Sequence, residues 1–194
     1  MSGVKGIVSE PTIDPMLIMD IVVEVVKENF DEVSRHSQLR EDHEELKHNL
    51  TSRYVIDSKD RYTPVALCRQ LGAYFIRHNV YIYKTFKTKT VKCPITVSMI
   101  GDFLGYKEHS CVVTQSNKVE GLIKFNKHLR AVFEKIENEV GCLLVLQELG
   151  KELGGASRFG WIKTEEDVMA AYIEDNKKDF DMFCELIQRI KNNQ

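Results

Sequence analysis

Paired cysteines are the first thing missing. Cys68, Cys93, Cys111, Cys142 and Cys184 never fall into a CxxC spacing. That argues against a zinc ribbon. An odd, scattered set reads as free thiols in a reducing, cytoplasmic setting, with Cys68, Cys93, Cys142 and Cys184 as small packing residues. Proline and glycine are sparse, at four and eleven, which excludes a low-complexity or collagen-like chain. No apolar run approaches the roughly 18 residues of a membrane helix, so no membrane partner is expected. The start "MSGVKGIVSEPT" lacks the apolar core of a signal peptide. No GxxxxGK[ST] is present, and "GKELGGASRFGW", residues 150–161, has its glycines in another order. It reads as a helix stop and loop rather than a Walker-type phosphate cradle. A metalloprotease helix places two His at i and i+4, whereas His43 and His48 are five apart. "HSQLREDHEELKH" therefore reads as a solvated helix, and the chain is expected to hold no metal, no cofactor and no catalytic centre.

What is present is ordinary in bulk and uneven in detail. The chain is 43% hydrophobic and 29% charged, with a formal net charge of −2 over 194 residues. Those values suit one globular domain, or one with a small appendage. The window from Lys59 to Arg130 holds thirteen Lys and Arg against four Asp and Glu, a formal +9, and leaves −11 on the rest. Separated charge of this kind predicts a basic surface that attracts phosphate.

Along the chain the pattern is helical. "DPMLIMDIVVEVVKENF", residues 14–30, predicts a helix with Asp14 as N-cap, Pro15 in its first turn and a stripe of Leu17, Ile18, Ile21, Val22, Val25 and Val26. Residues 37–50 predict a more exposed helix, followed by a turn over 55–64. Residues 64–79 predict a core helix through Leu67, Leu71, Tyr74 and Phe75. "VYIYKTFKTKTVKCPIT", residues 80–96, has no helical period. Its alternating aromatic, β-branched and Lys residues predict a β-hairpin arm that carries Lys84, Lys87 and Lys89.

Thr96 should cap a helix over 97–105, with Val97, Ile100, Phe103 and Leu104 inward and Gly105 as its stop. A second helix follows over 107–119. It packs through Val112, Val113 and Val119 and leaves Glu108, His109, Ser110, Cys111 and Gln115 near its outer face or leading edge. After Gly121, apolar positions at 122, 125, 129, 132, 136 and 140 predict an amphipathic helix. Separate helices are expected at 142–153, 165–174 and 177–192. Two helices across a tight turn, with polar residues leading the second and a basic flank, match the needs of a helix-turn-helix that reads base edges in the major groove.

Two separated motifs carry a family resemblance. "TVSMIGDFLGYKEHSCVV" followed by "TQSNKV" resembles the pattern S-L-x-x-I-G-x-x-F-G-x-R-D-H-T-T-V and K-I of the C-terminal, origin-binding domain of the bacterial replication initiator DnaA. Ile100, Gly101, Gly105, His109, Val112 and Lys118 coincide with that pattern. Upstream, "RYTPVALCRQLGAYF" is similar to the family's segment in which a basic loop precedes an Arg-Gln helix, with Arg69 and Gln70 matching the pair. The resemblance covers about Lys59 to Val119. It implies that Glu108, His109 and Ser110 face bases. It also implies that Arg61, in the loop with Lys59, enters the adjacent minor groove. Lys107, Lys118, Thr96 and Arg69 would touch phosphates or hold the motif in place. The chain departs from the family at "EHSC" in place of Asp-His-Thr-Thr, and in about ten extra residues before the motif.

The expectation is thus a mainly α protein with a DnaA C-terminal or Trp-repressor-like helix-turn-helix domain over 12–136. It would carry insertions at 31–57 and 80–95 and a helical appendage over 137–194. Double-stranded DNA is the expected partner, with homodimerisation open, and transcriptional regulation is the expected use. An origin-binding replication accessory is the first alternative. A protein–protein interaction module without DNA is the second.

Overall fold

A computed structural model describes residues 7–35, 40–86 and 89–152. Lys87, Cys184 and the helices expected at 165–174 and 177–192 lie outside the described residues. The chain divides into two compact units, Met1–Glu137 and Asn138–Gln194. Among the described residues it is mainly helical, with eight helices and one small sheet.

Helix α1 (Pro15–Glu28) begins where Asp14 Oδ1 accepts the Met16 N–H at 3.0 Å, with Pro15 in the first turn. It buries Ile18, Met19, Val22, Val23, Val25 and Val26. The expected stripe is corrected: Leu17 is 37% exposed and Met19 and Val23 lie inside. The reason is two-sided packing, because α1 rests on both α4 (Ser52–Asp57) and α5 (Thr63–Asn79).

Between α1 and α5 the chain makes three short helices, where one helix and a turn were expected. These are α2 (Phe30–Ser34), α3 (His43–Asn49) and α4. Leu50 is extended, and the Thr51 hydroxyl accepts the Tyr54 N–H at 3.2 Å, which stops α3 and starts α4. Helix α5 is the central element. It packs on α1, α2, α4, α6 and α7 and buries Leu67, Leu71, Phe75 and Ile76. A Cβ at Gly72 would collide with the Met19 sulfur, so this glycine lets α1 cross α5 closely.

The expected hairpin is present as β2 (Tyr81–Phe86) and β3 (Lys89–Pro94), with Lys84 opposite Val91 and Thr85 opposite Thr90. A third strand, β1 (Ile7–Pro11), pairs antiparallel with β2 and makes the sheet order β1-β2-β3. Nothing in so short a segment showed its partner, which lies far along the chain.

Helix α6 (Val97–Phe103) starts at Thr96, whose hydroxyl accepts the Met99 N–H at 3.3 Å. It buries Ile100, and Leu104 behind it, while Val97 and Phe103 are only half-buried. Gly105 has φ 66°, the left-handed conformation that ends a helix and that glycine adopts without a Cβ penalty. Helix α7 runs Ser110–Phe125 instead of 107–119. Lys107 to His109 form the turn before it, and it passes through Gly121. A Cβ there would meet nothing, and an isolated helical glycine costs only about 1 kcal/mol.

The true boundary is Asn126. Its backbone is extended, and its Oδ1 accepts from the His128 and Leu129 N–H groups at 3.0 and 3.1 Å, starting α8 (Lys127–Glu152). That helix is continuous, so the separate helix expected at 142–153 is corrected as well. Phe125, placed on the apolar seam by periodicity, is 85% exposed because it ends α7.

Candidate nucleic-acid interface

Helices α6 and α7 pack together across the Gly105 turn, and both rest on α5. His109 closes the turn. Its Nε2 lies 3.2 Å from Asp102 Oδ1 on α6, and a Cβ on Gly101 would come within 2.8 Å of its Cδ2. The imidazole therefore lies against the Gly101 backbone, with close to half of the side chain, 46%, still exposed. Gly101 permits that approach.

Helix α7 has two distinct faces. Val112, Ser116 and Val119 point into the core and are at most 1% exposed. Ser110, Thr114, Asn117 and Lys118 form the exposed stripe. Thr114 lies four residues after Ser110, and Asn117 and Lys118 lie three and four after Thr114, which follows the helical period. Thr114 and Asn117 were not singled out in the sequence, although counting 3.6 residues from Ser110 reaches both. Two expected readers sit differently from that expectation. Cys111 and Gln115 are half-buried, and the Gln115 amide oxygen is buried with no hydrogen-bond partner among the described residues. The Tyr106 hydroxyl is buried in the same way. Burial pushes its phenol up to about 12, against the opposing charge of Arg69, so it stays a neutral donor at physiological pH. Lys107 and Glu108 are exposed in the turn ahead of α7.

The basic flank has two kinds of cation. Lys59, Arg61, Lys107 and Lys118 are exposed, and none forms an ion pair with another described residue. Arg61 and Lys118 line one cavity, so the fold brings the loop before α5 beside α7. Arg69 differs. Its guanidinium donates to the carbonyl oxygens of Val55, Ser58 and Asp60, at 2.7 Å for Val55, and so pins the loop that carries Lys59 and Arg61. Asp60 fastens the same loop from its other side. It accepts from the Tyr62 N–H at 2.8 Å and the Tyr54 hydroxyl at 3.0 Å, and it pairs with Arg40 at 2.5 Å.

On the sheet, Lys89 is exposed and Lys84 half-buried, and Lys92 lies over the Tyr81 ring at 4.6 Å. Strand β3 touches α5, which places the hairpin against the central helix.

Three possible metal donors meet away from this surface. Atoms of Asp31, His43 and Glu44 lie within 4.8 Å of one another. The His43 ring nitrogens are already engaged, at 2.9 Å from the Tyr62 hydroxyl and 3.1 Å from Asp31, and the Lys47 ammonium sits 2.6 Å from the other Asp31 oxygen. A metal ion there would face an ammonium, and the cluster ties α2, α3 and the start of α5 together.

Compared with known proteins, the chain matches no family model, no curated protein and no solved structure.

Proposed function

We propose that the chain is a sequence-specific binder of double-stranded DNA that reads the major groove with the leading turns of α7. One observation carries the reading. A stripe of short hydrogen-bonding side chains, Ser110, Thr114 and Asn117, stands exposed on a helix fixed by a tight turn, and the exposed cations that flank the stripe, Lys107 and Lys118, pair with no described acid. Hydroxyl and amide groups bond several base edges, and Asn favours adenine N6 and N7. Lys107 and Lys118 supply phosphate contacts along the helix, and Arg61 reaches from the pinned loop toward the adjacent minor groove. The likeness of residues 59–119 to the DnaA origin-binding domain supports the same arrangement. In it His109, held by Asp102, sets the position of the turn and presents its ring beside Glu108 and Ser110. Regulation of transcription is the use we propose, and an origin-like array of selected sites would instead favour a replication role.

The test is selection of binding sites from a random duplex library at two salt concentrations, with wild type beside His109→Ala and Asn117→Ala. The expected outcome is a compact motif that each variant degrades, at a cost of about 1–3 kcal/mol for a lost base contact. Salt-sensitive binding without a motif, or no binding at moderate salt, would overturn it.

A further inference from the structure

The first unit holds a cavity of about 840 Å³ between α2, the start of α5, the end of α7 and the start of α8. Leu67, Leu122, Leu129 and Val132 supply apolar wall. Three exposed cations line it, Arg35, Arg61 and Lys118, and none pairs with a described acid. Among the described residues its one carboxylate, Glu32, faces His128 at 3.7 Å.

This combination selects a chemistry. A neutral apolar guest would leave the cations without gain, and a small hydrophilic anion would leave the walls wet. An anion on an apolar body satisfies both. We propose that the cavity binds a small amphiphilic carboxylate as a monomer, with its body on the leucines and its carboxylate at Arg61 and Lys118. The volume lies in the range of small-molecule sites, and a few cations at an apolar wall fix the guest's orientation. The cavity is half-open to solvent, and a concavity of this size suits one free molecule, whereas docking on a lipid surface calls for a protruding apolar face.

The consequence is regulatory. Arg61 and Lys118 also belong to the proposed DNA surface, so the carboxylate and phosphate compete for the same cations. This coupling rests on the DNA reading, while the binding does not.

The test titrates the full chain with dodecanoate below its micelle concentration, by calorimetry and without DNA. Dodecanol, inorganic phosphate and anionic phosphatidylglycerol vesicles serve as comparisons. Saturable one-site binding of dodecanoate is expected, stronger than that of any comparison. Arg61→Gln and Lys118→Gln should each weaken it about tenfold, as loss of a hydrogen bond to a charged group would. Leu129→Asp should remove it with the circular dichroism unchanged, and since Arg61 and Lys118 are exposed, their variants keep the test valid if Leu129→Asp misfolds. Absence of saturable binding, equal binding of dodecanol, binding to vesicles alone, or indifference to both Gln variants would overturn the site. In a second arm, dodecanoate should weaken duplex binding by wild type and leave Leu129→Asp unaffected. Dodecanoate binding without any effect on duplex binding would overturn the coupling. A protein that binds no duplex at all sinks the DNA reading, and the first arm still decides the cavity.

Discussion

Arg69 organises more backbone than any other charged side chain near the proposed interface. It rises from α5 and gathers carbonyls at Val55, Ser58 and Asp60, so its loss would strand three acceptors and release the loop. Arg69→Ala should therefore lower stability by about 1–3 kcal/mol, read as a fall in the denaturation midpoint. Arg69→Lys should rescue little, since an ammonium cannot span the three carbonyls in the plane of a guanidinium. A midpoint unchanged in the alanine variant would show that the loop holds by itself.

Gly101 acts by what it lacks. A methyl there would meet the His109 ring at 2.8 Å and displace it. Gly101→Ala should blur the motif recovered by site selection, while the salt dependence of binding stays near wild type because no phosphate contact is lost. A parallel loss of both would instead mean that the whole turn had moved.

At the scale of elements, the helix-turn-helix and the hairpin make separable claims. The hairpin is built by cross-strand pairs such as Thr85 and Thr90, whose hydroxyls lie 3.0 Å apart. It presents Lys89 on an exposed edge strand, where lysine also discourages pairing with another chain. If the arm follows the DNA backbone, Lys84→Ala with Lys89→Ala should reduce the salt slope by about one unit per phosphate contact and leave the motif intact. An unchanged slope would place the hairpin outside the interface and leave α7 and the Arg61 loop as the reading surface.

At the scale of the molecule, charge governs how the fold responds to acid. Asp31 is held below the usual carboxylate range by hydrogen bonds from Lys47 and then His43, and Asp42 by Arg40. Burial alone would raise Asp60, but the Tyr62 amide, Arg40 and the Tyr54 hydroxyl outweigh it and lower its carboxyl. Asp20 is raised, by burial first, against its hydrogen bond from Ser52. A lowered carboxyl stabilises the fold above its unfolded pKa and loses that contribution as pH falls through its folded one. A raised carboxyl has the opposite sign, so protonation of Asp20 steadies the fold as the medium becomes mildly acidic. The melting temperature should therefore hold down to about pH 4 and fall below it. Asp60→Asn should flatten that acid limb. A melting temperature that falls steadily from neutral pH would contradict this account.

Local rules carried much of this protein. The caps at Asp14 and Thr96, the left-handed stop at Gly105, the alternation of the hairpin and the periodicity of α1 and α5 are interactions among near neighbours, so the sequence by itself determined them. The same holds for the basic window and for the order of the two motifs. Only the tertiary structure decided the rest, because it depends on which distant segments meet. The pairing of β1 with β2, the second buried face of α1, and the turn of Arg69 toward backbone are set by packing. So are the half-burial of Cys111 and Gln115, the emergence of Thr114 and Asn117, and the cavity that joins Arg61 to Lys118. A helical period shows that a face exists; burial against other elements decides which side chains remain on it to meet a ligand.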